Sequence, residues 1–486
     1  MKKKYVRWTL WTIASPFILF IILCILIYLP PIQNFLVDKA AVYASEATGM
    51  NISVGRISLS FPLNLVVTNV DAASPHNDTL LSVRRLQVNV QLLPLLKKQV
   101  EVDGISLQGA TVNSNDLIHG MRLNGTLGEL FISSHGVALD PETAIVNKVL
   151  LKDTDLSLCL NDTAAADTAA SDTAYWKIIL QDIDLQNVSF ALDMPLDSLS
   201  LAASLDNAIL RDGLIDLHKS AYSLQTFRIE NGRVRYDNGK PLAADSLSSG
   251  LDPSHIALTD IGVKLDSLYY GGRNMKAIIS QFVLKERSGV EIVSATGRMV
   301  SNDKVLRVPS LKLETRDSYL ELNAAMDWDA LDFKKEGLVS ARLMADIGKP
   351  DVVRFMGSMD EKFIRQYPSE PLRIRTGIDG DLNKLKLTTL TAELPGALGL
   401  FAKGELTSLT DSLLRGGDIT LQAETKDLKF ISTLAEGIEI PYGTRLEGKF
   451  TMAGTKMGTD LLLMQPEAQA VVAADTIPIT VYNDSI

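Results

Sequence analysis

Apolar and polar residues alternate along most of this chain. The segments Leu86–Val90 and Ile419–Ala423, for example, place an apolar side chain at every second position. A period of two is typical of strands that bury one face. Turn-forming pairs such as Asp103-Gly104 and Gly271-Gly272 separate the alternating runs. The pattern predicts a mainly β fold, with mainly antiparallel strands, from about residue 52 to 460.

One longer pattern recurs, in which two apolar residues at alternate positions precede a Gly, Asn or Asp and a further apolar residue follows. It occurs in Ile105–Val112, Val149–Leu156, Ile183–Phe190 and Phe227–Val234. Gly, Asn and Asp accept a left-handed or bulged backbone, so each copy predicts a strand with a sharp bend at its centre. A repeated unit too small to bury its own face predicts stacking into an elongated sheet.

The repeats supply candidate residues for the lining of an apolar surface. One set precedes the bend and the other follows it, and alternation alone does not decide which set points inward. The candidates are Leu107, Val112, Leu185, Phe190, Ile229 and Val234.

Residues 8–29 form an uncharged, strongly apolar run near the N-terminus. At about 1.5 Å per residue a helix of this length spans about 33 Å, which is enough to cross a bilayer. Four basic residues precede the run, which predicts a cytoplasmic N-terminus. The run is too long for a cleaved signal peptide, the alternative, and lacks a nearby cleavage site. The residues assigned to this anchor are Trp8, Trp11, Pro16, Phe20 and Leu29.

Helical spacing and composition complete the predicted organisation. The predicted segments are a cytoplasmic tail at 1–7, the transmembrane helix at 8–29, an amphipathic helix at 33–48, a β region at 52–160, a flexible low-complexity loop at 161–175, a second β region at 176–460 with helices near 351–366 and 427–436, and a C-terminal tail at 461–486.

Composition and charge narrow the possible functions. The net charge of −10 repels a phosphate backbone and argues against a nucleic-acid partner. The two cysteines are far apart and predict neither a disulfide framework nor a metal cage. Gly443-x4-Gly448-Lys449 resembles a phosphate-binding loop, but Phe450 replaces the hydroxyl residue that such a loop needs. The sequence therefore predicts no catalytic residue, metal or cofactor, and a function other than catalysis.

The N-terminal part of the chain carries a family resemblance, which weakens beyond about residue 240. Residues 32–36, the helix end at 44–49 and the segment 52–70 look like the start of AsmA-like proteins, in particular the N-terminal part of the TamB (translocation and assembly module) family. The resemblance implies a single-pass inner-membrane protein of a diderm bacterium, with most of the chain in the periplasm and its antiparallel sheet curled into a groove. The family's full-size members are far longer, so the chain is expected to be a fragment or a short relative.

Three functional hypotheses follow. The first is a conduit that carries phospholipid acyl chains between the inner and outer membranes and serves outer-membrane biogenesis; the resemblance favours it and implies an outer-membrane barrel protein as a partner. The second is a scaffold or chaperone that assists outer-membrane protein assembly by pairing with client strands. The third is an exported hydrolase with two carboxylates that meet only in space.

Overall fold

The computed structural model describes most of the chain after the N-terminal region. The described residues are 39, 41–42, 45–46, 48–60, 64–74, 78–91, 102–114, 120–138, 142–161, 176–240, 250–332, 335, 337–356, 361–381, 383–409, 413–431, 443–464, 471–473 and 479–480. The predicted transmembrane helix at 8–29 and all but the first residue of the predicted loop at 161–175 lie outside this set. Within it, no helix is long and apolar enough to cross a membrane.

The chain is mainly β, as predicted, and divides into two compact units, Met1–His218 and Lys219–Ile486. Unit 1 contains eight strands that pair in chain order. They are β1 (Asn51–Ser60), β2 (Asn64–Ala73), β3 (Thr79–Val90), β4 (Val102–Asn113), β5 (Met121–Ala138), β6 (Thr143–Leu160), β7 (Lys177–Met194) and β8 (Leu199–Asp216). Of the predicted helix at 33–48, the described residues 39, 41–42, 45–46 and 48 are helical.

One pairing in unit 1 departs from the antiparallel pattern. Strands β6 and β7 run parallel, in one unbroken register from Thr143 opposite Lys177 to Cys159 opposite Asp193. All other pairs in this unit are antiparallel. Both strands keep the alternation expected of a sheet with one polar face, so their sequences carry no sign of the parallel arrangement.

Unit 2 contains the remaining strands. They are β9 (Ala221–Leu224), β10 (Thr226–Asp237), β11 (His255–Gly271), β12 (Asn274–Glu286), β13 (Glu291–Ser301), β14 (Val305–Thr315), β15 (Tyr319–Asp327), β16 (Val339–Ile347), β17 (Leu372–Gly380), β18 (Lys384–Leu394), β19 (Leu398–Thr407), β20 (Gly416–Thr425), β21 (Arg445–Ala453), β22 (Lys456–Met464), β23 (Val471–Ala473) and β24 (Ile479–Thr480). From β10 to β22 each strand pairs antiparallel with the next. Strand β9 pairs with β11, and β23 and β24 both pair with β22.

The predicted turns and tail are only partly right. Gly272 has a φ of +64° in the β11–β12 turn, as its position requires. The turn predicted at Asp103-Gly104 is wrong, because both residues lie inside β4 and Gly104 pairs with Asn89 and Ser133. The tail predicted from residue 461 is also wrong at its start, since β22 continues to Met464.

The helices differ from the prediction in their bounds. Helix α1 (Lys349–Phe355) and helix α2 (Glu361–Gln366) replace the single helix predicted near 351–366, with residues 357–360 outside the described set. The described part of the helix predicted at 427–436, residues 427–431, forms a turn instead. The Asp427 side chain accepts a hydrogen bond from the Lys429 N–H, a local turn that competes with a helical start.

The best-buried apolar cluster of unit 2 lies where α1 and α2 join β16 to β17. Phe363 is 1% exposed and packs with Tyr367 and Phe430, with ring centroids 5.2 to 5.8 Å apart. Leu394, Ala397 and Leu428 complete the cluster. Burial raises the pKa of the Tyr367 phenol. The cluster covers one end of the unit 2 sheet.

A buried carboxylate fixes helix α1 beside this cluster. Asp351 is 1% exposed and accepts hydrogen bonds from the hydroxyls of Thr315 and Ser318. Its other oxygen lies 3.1 Å from the Arg354 guanidinium, which also binds Asp317 at 2.9 Å. The charge of Asp351 is therefore fully compensated.

Candidate functional site

Aliphatic side chains form continuous rows across one face of unit 1. Residues that are directly opposite in neighbouring strands share a face of the sheet. One row consists of Ile57, Val67, Leu86, Leu107, Leu130, Leu151, Leu185 and Ala208. The next row on the same face consists of Leu59, Leu65, Val88, Ile105, Ile132, Val149, Ile183 and Leu210. We call this surface the aliphatic face.

The opposite face is more polar, although one of its rows is mixed and consists of Ser58, Val66, Gln87, Ser106, Phe131, Leu150, Asp184 and Ile209. The row directly beside the first aliphatic row, on the opposite face, consists of Arg56, Thr68, Arg85, Gln108, Glu129, Lys152, Gln186 and Asn207. Gln108, Lys152 and Gln186 are exposed. The sheet therefore separates an aliphatic surface from a water-compatible one.

Left-handed residues mark the predicted bends. Gly109, Asp153, Asn187 and Asn231 have φ angles of +63°, +49°, +51° and +53°, which confirms the prediction for all four copies of the repeat. Three more strands have a left-handed residue in the same pattern, which the sequence analysis missed. These residues are Asn69 in β2, Asp212 in β8 and Asp260 in β11, with φ angles of +51° to +52°.

Four of the five bends of unit 1 lie in one row that crosses all eight strands, and the fifth, Asp212 in β8, lies outside it. The paired neighbours on either side bring together Gly55, Asn69, Arg84, Gly109, Gly128, Asp153, Asn187 and Asp206. The Asn187 amide donates a 2.9 Å hydrogen bond to the Asp153 carboxylate within this row. A Cβ on Gly128 would come within 2.8 Å of the Asp153 Cβ. The glycines therefore leave room for the side chains opposite them. We call this line the bend row.

The bend shifts the alternation by one residue, so that both apolar sets share a face. In β10, exposed Arg228 and Glu230 precede the bend and exposed Arg233 and Arg235 follow it. The exposed positions are thus even-numbered before Asn231 and odd-numbered after it. In β6 and β7 the bend residue and its predecessor are both exposed, as in a bulge whose two side chains lie on one side. Ile229 and Val234 therefore lie on one face of the unit 2 sheet, and the equivalent pairs of unit 1 lie on its aliphatic face.

The predicted lining residues are thus brought onto one surface within each unit. Leu107, Val112 and Leu185 are half-buried, and Phe190 is 39% exposed. Ile229 and Val234 are half-buried in unit 2. The anchor residues Trp8, Trp11, Pro16, Phe20 and Leu29 lie outside the described residues.

Unit 2 continues the same design. One of its apolar rows consists of Leu320, Ala345, Ile374, Ala392, Leu400, Ala423, Leu446 and Leu463. The adjacent row on the other face consists of Tyr319, Asp346, Arg373, Glu393, Gly399, Glu424, Arg445 and Met464. Sequence alternation predicted this separation of faces correctly.

The aliphatic face of unit 1 is not a closed core. Of the two aliphatic rows described first, only Ala208 is buried, Ile105 is 37% exposed and the remaining side chains are half-buried. Among the described residues of unit 1, the buried large hydrophobic side chains are Leu80 and Val83, and Val83 lies opposite buried Ala110 in the row just after the bends. A packed second layer would bury such rows almost completely. The face is accessible to an apolar ligand.

One polar cluster outside these rows surrounds His255 in unit 2. His255 is 8% exposed and its ring donates a 2.8 Å hydrogen bond to Asp252, with Asp237 3.6 Å from its other nitrogen. The hydrogen bond from His255 lowers the pKa of the Asp252 carboxyl. The Ser254 N–H binds the same carboxylate, so the group holds the start of β11 in place.

The remaining motifs lack the geometry of a reaction site. A surface pocket of about 380 Å³ is lined by Gly399, Glu393 and Glu424. Both glutamates are paired with arginines, Glu393 with Arg373 at 3.7 Å and Glu424 with Arg445 at 3.4 Å. Lys449, in the segment that resembles a phosphate-binding loop, lies within β21 and binds Asp418 at 3.1 Å. In the part of the chain that the structure describes, no three His, Cys, Asp or Glu side chains converge as metal ligands would.

Searches against known protein families, curated proteins and solved structures find no match for this chain. The fold and the site therefore define its class by themselves: a β-sheet protein whose strands present one accessible aliphatic face and one polar face.

Proposed function

We propose that this protein is a conduit for phospholipids between the inner and outer membranes of a diderm bacterium. In this proposal the N-terminal run anchors the chain in the inner membrane, the β units lie in the periplasm, and acyl chains bind along the aliphatic face. The observation that carries the proposal is the accessibility of aliphatic rows that cross all eight strands of unit 1. The resemblance of residues 32–70 to AsmA-like proteins supports it and suggests an outer-membrane barrel protein as a partner.

The chemistry of the rows suits acyl chains. Leu, Ile and Val side chains make no directional bonds, so they accept a flexible chain in any position along a row. Each CH₂ group removed from water contributes about 0.8 kcal/mol. The polar face keeps the protein soluble while lipid occupies the other side. The bend row strengthens the argument, because it keeps the apolar residues on one surface along the whole length of each strand.

Photo-crosslinking from neighbouring positions on opposite faces tests the proposal. A photoreactive residue replaces Leu107 or Leu185 on the aliphatic face, and Gln108 or Gln186 serves as the matched control in the same strand. We expect phospholipid adducts, identified by mass, from the leucine positions and none from the glutamine positions. Equal yields from both faces, or adducts that contain only protein, contradict the conduit.

A charge on the aliphatic face provides the functional test. Leu185→Asp places a carboxylate where acyl chains would pass, at a half-buried position from which water can still solvate it. We expect lipid adducts at Leu107 to fall severalfold while the chain stays folded by circular dichroism. Gln186→Asp, one residue away on the polar face, leaves the adduct yield unchanged. A yield unaffected by Leu185→Asp counts against the proposal.

A second function, the scaffold, is favoured by one observation at the edge of unit 1. Within the described residues β1 pairs only with β2, and the Ile52 N–H and C=O point away from β2 to the Ser45 hydroxyl. The same edge continues past Val54 and Arg56, where a client strand could pair. Crosslinks from Arg56 to unfolded outer-membrane proteins would favour this function over the conduit.

A further inference from the structure

The two ends of the unit 2 sheet differ, because only one has a buried apolar cluster among the described residues, although Phe355 and Met356 beside that cluster are 56% and 49% exposed. One end carries α1, α2 and the aromatic cluster, which bury Phe363, Tyr367 and Phe430. The other end carries the β11–β12, β13–β14, β15–β16 and β19–β20 connections, because every pair between these strands is antiparallel. This second end has no comparable buried cluster in the part of the chain that the structure describes.

Large apolar side chains project from the connections at this second end. Leu413 and Leu414 in the β19–β20 connection are 79% and 71% exposed, and Leu331 and Leu338 in the β15–β16 connection are 60% and 64% exposed. These are the most exposed large hydrophobic residues of unit 2 among those described. Tyr222 and Tyr270 add a stacked, exposed pair where β9 meets β11. We call these six residues the leucine rim.

Cationic groups and a tryptophan lie between the apolar tips. The Arg273 guanidinium lies 5.7 Å from the Trp328 ring, and the Trp328 indole N–H binds the Asn302 carbonyl at 2.8 Å. Arg273 and Lys304 are exposed, and no ion pair joins either to a carboxylate of the described residues. Exposed carboxylates also lie at this end of the sheet, since Asp329 and Asp332 pair with Lys335. A half-buried tryptophan with a polar anchor, flanked by exposed cations, is typical of protein surfaces at the headgroup layer of a bilayer.

The rim is a line rather than a patch. At roughly 4.8 Å per strand, the tips from β11 to β19 extend over about 38 Å along the sheet. Protein partners usually bind to a compact apolar centre surrounded by polar residues. Separate leucines interspersed with cations match instead a planar surface in which apolar tips enter the acyl region and cations meet phosphates.

We propose that the leucine rim docks on the surface of a phospholipid bilayer. This interaction does not require the aliphatic face to carry lipid. The exposed leucines insert between lipid headgroups, while Arg273 and Lys304 bind lipid phosphates.

A polarity-sensitive fluorophore tests the proposal in the full chain, with Cys24 and Cys159 replaced by Ser. The label is attached in separate variants to Leu413→Cys, to Leu338→Cys and, as the control, to Leu196→Cys in the turn after β7. Leu196 is 64% exposed, like Leu338, but lies in unit 1 and outside the rim. The protein is reconstituted in vesicles of phosphatidylcholine and phosphatidylglycerol. For comparison, the protein is placed, without detergent, in lipid nanodiscs that are only large enough to hold the anchor.

We expect the emission from the rim labels to shift to shorter wavelength with vesicles and to become protected from an aqueous quencher, while the Leu196 label stays in water. The double variant Arg273→Gln/Lys304→Gln should reduce the shift at Leu413 severalfold in vesicles that contain phosphatidylglycerol. Identical spectra at rim and control positions overturn the proposal. A shift that depends on protein concentration and not on lipid also overturns it and assigns the rim to a protein interface. Lipid adducts at Leu107 without a rim shift would leave the conduit standing and reject the rim alone.

Discussion

Individual residues decide where the strands bend. The left-handed region is open to Gly and, at a smaller cost than for other residues, to Asn and Asp. The seven bend positions carry only these three residue types, namely Gly109 and the Asn or Asp residues of six further strands. The residue type at the bend therefore reflects the backbone angle and not a binding role.

Replacing a bend residue by a β-branched one should destabilise unit 1. Asn187→Val forces a branched side chain into a φ of +51° and removes the hydrogen bond to Asp153. We expect the free energy of unfolding to fall by about 2 kcal/mol. Asn187→Gly should cost less than half as much, because glycine adopts the same angle freely. Urea unfolding followed by circular dichroism measures both.

The control for this prediction is Asn207→Val in the neighbouring strand. Asn207 lies opposite Gln186 in an extended conformation that valine favours. Its substitution should change the free energy of unfolding by less than about 0.5 kcal/mol. Equal losses at Asn187 and Asn207 would show that backbone strain is not the cause.

The three bends that were not predicted have the same sequence pattern as the four that were. The pattern that predicted Gly109, Asp153, Asn187 and Asn231 also fits Leu65–Ala72, Ala208–Ile215 and Ile256–Val263. These three segments contain the missed bends. Alternation does not predict on which face of the sheet the residues after the bend lie, because their side depends on the backbone angle at the bend residue.

At the scale of the element, helix α1 depends on a buried charge. Asp351→Ala removes the carboxylate that the Thr315 and Ser318 hydroxyls and the Arg354 guanidinium share. We expect a loss of about 3 kcal/mol in the free energy of unfolding of unit 2, because three polar groups lose their partner in a largely buried place. Chemical denaturation of the full chain provides the measurement.

The exposed pair on helix α2 is the matched comparison. Glu361 and Arg365 lie 2.8 Å apart, but both are largely exposed. Glu361→Ala should therefore cost less than about 0.5 kcal/mol. A small effect of Asp351→Ala would mean that water replaces the carboxylate and that α1 is not held by it.

Element types were easier to predict than their pairing. Alternation identified the strands because it reports one buried face, and Lys349-Pro350 marked the start of α1. The parallel pairing of β6 and β7 left no mark, because side-chain alternation is the same for either direction. The helix expected at 427–436 failed in its described part, since Leu428 and Phe430 are buried by the aromatic cluster rather than by a helical stripe.

At the scale of the whole molecule, the proposed anchor would determine which compartment the sheet occupies. Three lysines and Arg7 precede the apolar run, so the N-terminus is expected in the cytoplasm and the β units outside it. A cysteine at Asp78, an exposed position before β3, should react with a membrane-impermeant maleimide once the outer membrane is permeabilised. A cysteine at Lys3 should react only after the inner membrane is broken. The reverse order of labelling would show that the N-terminus lies outside the cytoplasm.

The bend row also limits how the length of this chain can vary. One residue inserted between a turn and a bend would move that bend out of line with its neighbours. It would also exchange the aliphatic and polar faces over that part of the strand. An insertion within a turn changes neither. Length differences among natural or engineered variants of unit 1 should therefore accumulate in the turns, while the number of residues from each strand start to its bend stays constant.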